Sequence, residues 1–331
     1  MQRWTPDLKT RDWQDAREAD AVCAALVNGE LVAVPTETVY GLAADATSGT
    51  ACARIFAAKG RPQFNPLISH VASLEAALEH GIFDARALAL AEAFWPGPLT
   101  LVVPKSKTCR ISDLATAGLE TVALRLPAGP VMRFLSQKTG RPLAAPSANR
   151  SGRISPTIAD DVIADLGPSL SWVIDAGPCA VGIESTIVGL ADDTPRLLRP
   201  GGISRQDIET VLGHRLQGAS ADMRADAPAA PGMLSSHYAP DAAMILNALE
   251  AGPEDGLLSF GPDALPRASE ALAEVNLSPS GDLTEAAANL FQAMRTLDAS
   301  GARTIRVQFI PNFGLGEAIN DRLRRAAAPR G

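Results

Sequence analysis

Apolar positions in this chain fall into short runs of four to six residues, separated by stretches in which they recur every three or four residues. That is the pattern of strands alternating with helices. Glu30 to Val34, Leu67 to Val71, Leu99 to Val103, Thr121 to Leu126, Pro142 to Ala145 and Ser171 to Ile174 read as strands. Ala19 to Val27, Asp84 to Phe94, Ala128 to Lys138 and Thr157 to Leu166 read as helices. Ser48 can cap a further helix whose Cys52, Ile55 and Phe56 share one face, and Lys59-Gly60-Arg61-Pro62 ends it with two cations and a breaker. Near Gly218 the periodicity stops, and a stretch rich in Ala, Pro, Ser and Gly reads as a linker. Beyond Asp241 it resumes: Ala243 to Leu246, Leu257 to Phe260 and Thr304 to Ile310 are strand-like, Leu283 to Leu297 and Leu315 to Ala327 helical. The expected organisation is an α/β domain over residues 1–213, a linker over 214–240 and a small α/β domain over 241–331.

The polar residues that interrupt this pattern sit at strand ends. Pro35 stops a buried run just before Thr36, Glu37 and Thr38, and in an α/β sheet the carboxyl ends of the strands are where ligands bind. Arg125 interrupts the apolar run TVALRL, which is costly unless the guanidinium meets an anion; a bound carboxylate would suffice. Pro146 to Gly152 (PSANRSG) offers small hydroxyl, amide and basic groups suited to phosphate, and Gly182 to Val188 again places Glu184, Ser185 and Thr186 ahead of a β-branched run. Neither a Walker P-loop nor a G-x-G-x-x-G is present, so a nucleotide would be held by another architecture. Taken one at a time these residues have plainer explanations: threonines satisfying a turn, cations complementing a helix C-terminus, Ser204 capping a helix with Asp207.

Composition narrows the classes. The 331 residues, 46% hydrophobic, bury a sizeable core, and a formal net charge of -7 argues against broad non-specific binding to nucleic acid. No run reaches the length of a membrane span and the first twenty residues lack a signal-peptide core, so the expectation is a soluble, cytoplasmic protein. The four cysteines are widely spaced and the four histidines lack helical pairing, which points to neither a zinc site nor a disulfide framework.

In order along the chain, PTETVYGL, K-G-R-P, N-P-L-I-S-H, APSANRSG, ESTIV and S-S-H-Y-A-P together resemble the YrdC-type L-threonylcarbamoyladenylate synthases in their long, two-domain form. The resemblance covers almost the whole chain; only Gln63-Phe64, where a more polar pair is expected, departs from it. It implies a twisted mixed sheet with flanking helices followed by a Rossmann-like C-terminal domain. It also implies an enzyme that makes threonylcarbamoyl-AMP and pyrophosphate from L-threonine, bicarbonate and ATP, for transfer by separate transferase proteins to the adenosine next to the anticodon of tRNA.

By motif, the resemblance implies threonine contacts at Thr38, His70, Arg125, Ala145 and Ser185. It implies ATP contacts at Arg61, Asn65, Thr121, Ser147, Ser155, Arg199 and Tyr238, with Lys59 beside them as neutraliser of the α-phosphate region and Lys59 and Arg61 in catalytic roles. Mg2+ is expected with the nucleotide, but no D-x-D pair names a protein ligand. Tyr238 lies in the linker: about 27 flexible residues span roughly 29 Å, against a radius of gyration near 17 Å for the larger domain, so the segment can reach across a pocket, as an anchor or as a cover. Two rivals stand beside this reading. A non-catalytic module binding double-stranded RNA predicts a basic face and indifference to threonine, with weak RNA binding as its residue here. A carbamoyl-transferring maturation enzyme would carry zinc-finger cysteine pairs, which this chain lacks.

Overall fold

The computed structural model describes residues 1–218 and 237–329. Most of the expected linker, 219–236, lies outside the described residues. An eleven-stranded mixed sheet runs in the spatial order Gln2–Trp4, Trp172–Ile174, Val32–Val34, Gly41–Asp45, Leu143–Ala144, Ile68–His70, Thr121–Arg125, Leu99–Pro104, Thr186–Gly189, Arg196–Arg199, Gln217–Gly218. Helices cover its faces, and two apolar clusters fill the space beneath them, the larger built on Leu42, Ile55, Leu90, Leu101 and Leu124.

The helix signals act as the sequence suggests. The Ser48 hydroxyl accepts from the Ala51 amide at 3.2 Å, and Gly60 adopts φ 60° to close the helix Gly49–Lys59. Ser73, Asp84 and Ser204 likewise cap the helices Leu74–Leu78, Ala85–Phe94 and Arg205–Leu212. Several strands were hidden: Gln2–Trp4, Arg196–Arg199, Gln217–Gly218 and Ala273–Asn276 are short, and Gly41–Asp45, inside GLAADA, is buried on both faces and therefore shows no alternation.

The second body is a four-stranded parallel sheet in the order Ala243–Leu246, Thr304–Val307, Asp255–Ser259, Ala273–Asn276, packed by the helices Leu283–Ala299 and Gly316–Ala326. Its core does not end at its own surface. Val39, Ile154 and Ile183 of the larger body join the cluster that contains Leu290, Phe291 and Met294. At Gly182 the chain passes so close to the helix Leu283–Ala299 that a Cβ there would lie 2.4 Å from the Ala288 Cα. Three ion pairs flank this contact: Arg322 to Glu184 at 2.9 Å, Arg295 to Asp165 at 2.9 Å and Arg205 to Glu317 at 2.7 Å.

Candidate active site

Strand register builds the first part of the site. Ile68–His70 and Thr121–Arg125 are parallel neighbours with His70 opposite Arg125, so both side chains emerge at the same end of the sheet. The next strands continue the row, because Leu99–Pro104 runs antiparallel to Thr121–Arg125 and parallel to Thr186–Gly189. Thr100 Oγ1 and Ser185 Oγ are then 2.7 Å apart. From the other side come Thr38 and Ala145, and all of His70, Arg125, Ser185, Thr38 and Ala145 line a single cleft.

Arg125 finds its anion within the chain. Nη2 donates to Glu37 Oε1 at 2.7 Å and Nε to the Gly97 carbonyl at 3.3 Å, while Nη1 makes no hydrogen bond among the described residues. The second Glu37 oxygen accepts from the Gly129 amide at 3.2 Å. Burial alone would raise the Glu37 carboxyl; Arg125 and these hydrogen bonds outweigh it and hold the group at about 2. His70 is also lowered, to about 3, by burial and then by the Arg125 charge, so its ring is neutral. Its Nδ1 faces the Leu143 carbonyl at 3.3 Å, which selects the tautomer protonated there and leaves Nε2 as an acceptor. The plainer reading holds for Thr36, which gives its proton to the Val39 carbonyl at 2.7 Å and accepts from the amides of Thr38 and Val39. Thr38, its hydroxyl 2.9 Å away, faces the cleft.

The opposite wall carries the cations. Arg199 Nη2 donates to the Ser185 carbonyl at 2.9 Å and to its hydroxyl at 3.2 Å, and Arg61 Nη2 to the Pro66 carbonyl at 3.0 Å. Both are buried and both line the cleft beside Ser147. Burial and then the like charge of Arg199 lower the Arg61 guanidinium to about 10, so it stays a cation at neutral pH. Lys59 does not line the cleft. Its Nζ donates to the carbonyls of Ser147 and Asn149, both at 2.5 Å, where burial and then the Arg61 charge push its pKa well down. Two of its protons therefore brace the PSANRSG loop from behind instead of facing the cleft.

Among the described residues Glu184 is the one carboxylate lining this cleft, and both its oxygens are engaged: Oε1 accepts from Ser155 Oγ at 2.6 Å and Oε2 from Arg322 Nε at 2.9 Å. Burial opposes its charge, but Arg322 first and then Arg199 outweigh that and hold it at about 2. Over the cleft lie His237 and Tyr238, both buried. The Tyr238 ring stacks on Phe291 at 5.4 Å between centroids and lies 5.3 Å from the Arg322 guanidinium carbon, while the Ala239 amide donates to the Gly152 carbonyl at 2.8 Å. The Tyr238 ring thus anchors on the small body's core and also lines the cleft.

Of the residues singled out in the sequence, Thr38, His70, Arg125, Ala145, Ser185, Arg61, Ser147, Arg199 and Tyr238 converge. Asn65, Thr121 and Ser155 stand apart from the cleft lining. Asn65 gives its carbonyl to Arg61 and keeps a buried, unpartnered Oδ1; Ser155 acts through Glu184. Thr121 pairs with Pro104 at the far end of the strand from Arg125, some four residues or about 13 Å away. Sequence reasoning missed Glu37, Glu184 and His237 as members of the site. The signal for the first two was present: a carboxylate beside a hydroxyl at a strand end, in a chain that elsewhere buries arginines, is the natural partner for one of them. Among the described residues no group of three or more His, Cys, Asp or Glu could hold a metal, and no helix is long and apolar enough to cross a membrane.

The four low-lying groups give the protein an acid-side liability. His70 and His237 are each lowered to about 3 and Glu37 and Glu184 to about 2. Every folded value lies below its unfolded one, so the unfolded chain binds more protons, and the stability each contributes is complete above the unfolded pKa and is lost as pH falls. The histidine contribution should drain away from about pH 6.5 downward, and the glutamate contribution from about pH 4.5. Urea midpoints measured from pH 7.5 to 4 should fall continuously; midpoints level from 7.5 to 5 would mean that the two rings are not held neutral.

Two anion stations facing each other across the carboxyl ends of a mixed sheet, one cation deep in a strand and two on the facing wall, define an α/β protein that binds a small acid beside a larger anion. The comparisons name the family. The family model described as "Telomere recombination" matches residues 24–201, and the one described as "Threonylcarbamoyl-AMP synthase, C-terminal domain" matches residues 203–328. The threonylcarbamoyl-AMP synthase of Pyrococcus abyssi is 42% identical over 317 residues, covering 91% of this chain and 92% of that one. The protein of the same name from Bacillus subtilis is 39% identical, covering 99% and 98%. The crystal structure of P. abyssi Sua5 complexed with L-threonine superposes with a TM-score of 0.85 at 36% identity, over 98% of this chain and 97% of that one. The chain belongs to the threonylcarbamoyl-AMP synthase family, in its two-domain form.

Proposed function

We propose that this chain is an L-threonylcarbamoyladenylate synthase, joining L-threonine, bicarbonate and ATP into threonylcarbamoyl-AMP with release of pyrophosphate. The carrying observation is the convergence of Thr38, His70, Arg125, Ser147, Ser185 and Arg199, drawn from six separate segments, on one cleft. Arg125, fixed by Glu37 with Nη1 still available, receives the threonine carboxylate. The neutral His70 ring, presenting Nε2, accepts a hydrogen bond from the threonine hydroxyl or amine and adds no positive charge that would oppose loss of the ammonium proton. The free amine attacks the carbon of bicarbonate, water leaves, and the carbamate oxygen so formed attacks the α-phosphorus while pyrophosphate departs. Arg61 and Arg199 offset the charge that gathers on the phosphates. Lys59 shapes the Ser147 loop rather than meeting phosphate itself. Magnesium would arrive on the nucleotide, because the one cleft carboxylate is already engaged on both oxygens. The product would pass to separate transferase proteins acting on tRNA.

Pyrophosphate release should require L-threonine, bicarbonate and MgATP together, and omission of any one should abolish it. Release that is indifferent to threonine, or no release with all three present, would overturn this reading.

A further inference from the structure

Glu184 poses an electrostatic problem for the cleft just described. It stands in the wall of a site that receives a triphosphate, it is fully charged, and Ser155 engages only one of its oxygens. Like charges at such separations inside a protein oppose binding by far more than they do in water. The larger body has a partner for every other charge in the cleft: Glu37 serves Arg125, while backbone carbonyls serve Arg61 and Arg199. Glu184 feels Arg199 from the larger body, but its stronger counter-charge and its one ion pair come from outside, from Arg322 on the helix Gly316–Ala326 of the small body.

Arg322 is unusually committed to this task. Its side chain is 0% exposed, it pairs with Asp321 through Nη1 at 2.8 Å and with Glu184 through Nε at 2.9 Å, and the Tyr238 ring covers it. Its Nη2 is buried without a partner among the described residues, a cost that packing alone would not select. On the same helix, Glu317 and Asn320 face Arg205 and the Ile310 carbonyl instead. We infer that Arg322 is a positioning residue for the nucleotide: docking of the small body neutralises Glu184, fixes its carboxylate on Ser155 and thereby makes the wall beside Arg61 and Arg199 acceptable to phosphate. The C-terminal body is in this sense part of the ATP site, although it contributes no cleft-lining side chain. This rests on the synthase reading above.

The test measures binding of MgATP and of L-threonine separately, by calorimetry on the full chain. Arg322→Met should weaken MgATP at least tenfold and L-threonine less than twofold, because the threonine station has its own neutral pair. Combining it with Glu184→Gln removes the charge that Arg322 answers, and MgATP affinity should return to within threefold of the parent. Glu184→Gln alone should bind MgATP more tightly than the parent. If Arg322→Met fails to fold, the double variant and Glu184→Gln still decide the matter, since an uncharged pair of similar volume is tolerated where a lone buried charge is not. Equal losses for both ligands, or a double variant no better than Arg322→Met, would show that Arg322 merely holds the two bodies together and overturn the inference. A parent chain that binds neither ligand would instead overturn the synthase reading.

Discussion

Replacing Arg125 with alanine is expected to raise the KM for L-threonine at least thirtyfold while changing the KM for ATP less than threefold. The guanidinium is buried, held by Glu37 and Gly97, and leaves Nη1 for a carboxylate. A charge-assisted pair lost from so dry a site costs about 2 to 5 kcal/mol, which is a factor of roughly thirty to several thousand. The substitution has a second consequence that must be separated from the first. It strands Glu37, and an uncompensated buried carboxylate destabilises the fold by about 3 to 5 kcal/mol. Arg125→Ala combined with Glu37→Gln removes that stranded charge, so the double variant should recover most of the thermal stability and none of the threonine affinity. Steady-state kinetics with each substrate varied in turn, alongside melting curves for the three proteins, checks both halves. Equal rises in the two KM values would remove Arg125 from the threonine station.

What the sequence made legible follows the physics of each signal. Element types came through because apolar period and caps are local: Ser48, Ser73, Asp84 and Ser204 each bind the amide three residues on, as their positions require. The strand Gly41–Asp45 did not, since a strand buried on both faces carries no alternation to read. The need of Arg125 for an anion was readable in the run TVALRL, but which anion was not, because Glu37 lies 88 residues away in sequence and reaches it only once the sheet is paired. Lys59 shows the reverse case. Its neighbour Arg61 faces the cleft, whereas the C-terminal turn of the helix aims Lys59 at the loop carbonyls of Ser147 and Asn149, a distinction that motif order cannot make. The contribution of the small body was invisible for the same reason, since Arg322 looks like one more surface cation in DRLRRA until the helix docks.

Substituting Gly182 with alanine should pry the two bodies apart, because the methyl group would be added where the larger body touches the small one. The residue sits at φ 74°, where an L side chain is strained, and the added Cβ would meet the Ala288 Cα and the carbonyls of Ala287 and Ala288 at 2.4 to 2.5 Å. These are helix backbone atoms, so no side chain can rotate away, and relief requires the helix Leu283–Ala299 to back off the larger body. Backing off loosens everything that the same contact holds in register: Phe291 under Tyr238, Arg295 on Asp165, and Arg322 on Glu184. Because that last pair sits in the cleft wall, an undocking two residues away should reach the chemistry: pyrophosphate release should fall by more than a hundredfold. The single cooperative melt expected of the docked protein should split into two transitions, the small body's four-stranded sheet unfolding apart from the eleven-stranded one. Gly201 offers an internal comparison, since a Cβ there would lie 2.3 Å from the Glu184 carbonyl oxygen and 2.5 Å from Ser185, within the larger body alone. Gly201→Ala should therefore also abolish activity, yet leave the two bodies melting together. A Gly182→Ala protein that melts once and keeps its activity would mean that the close approach of this helix is not what sets the cleft.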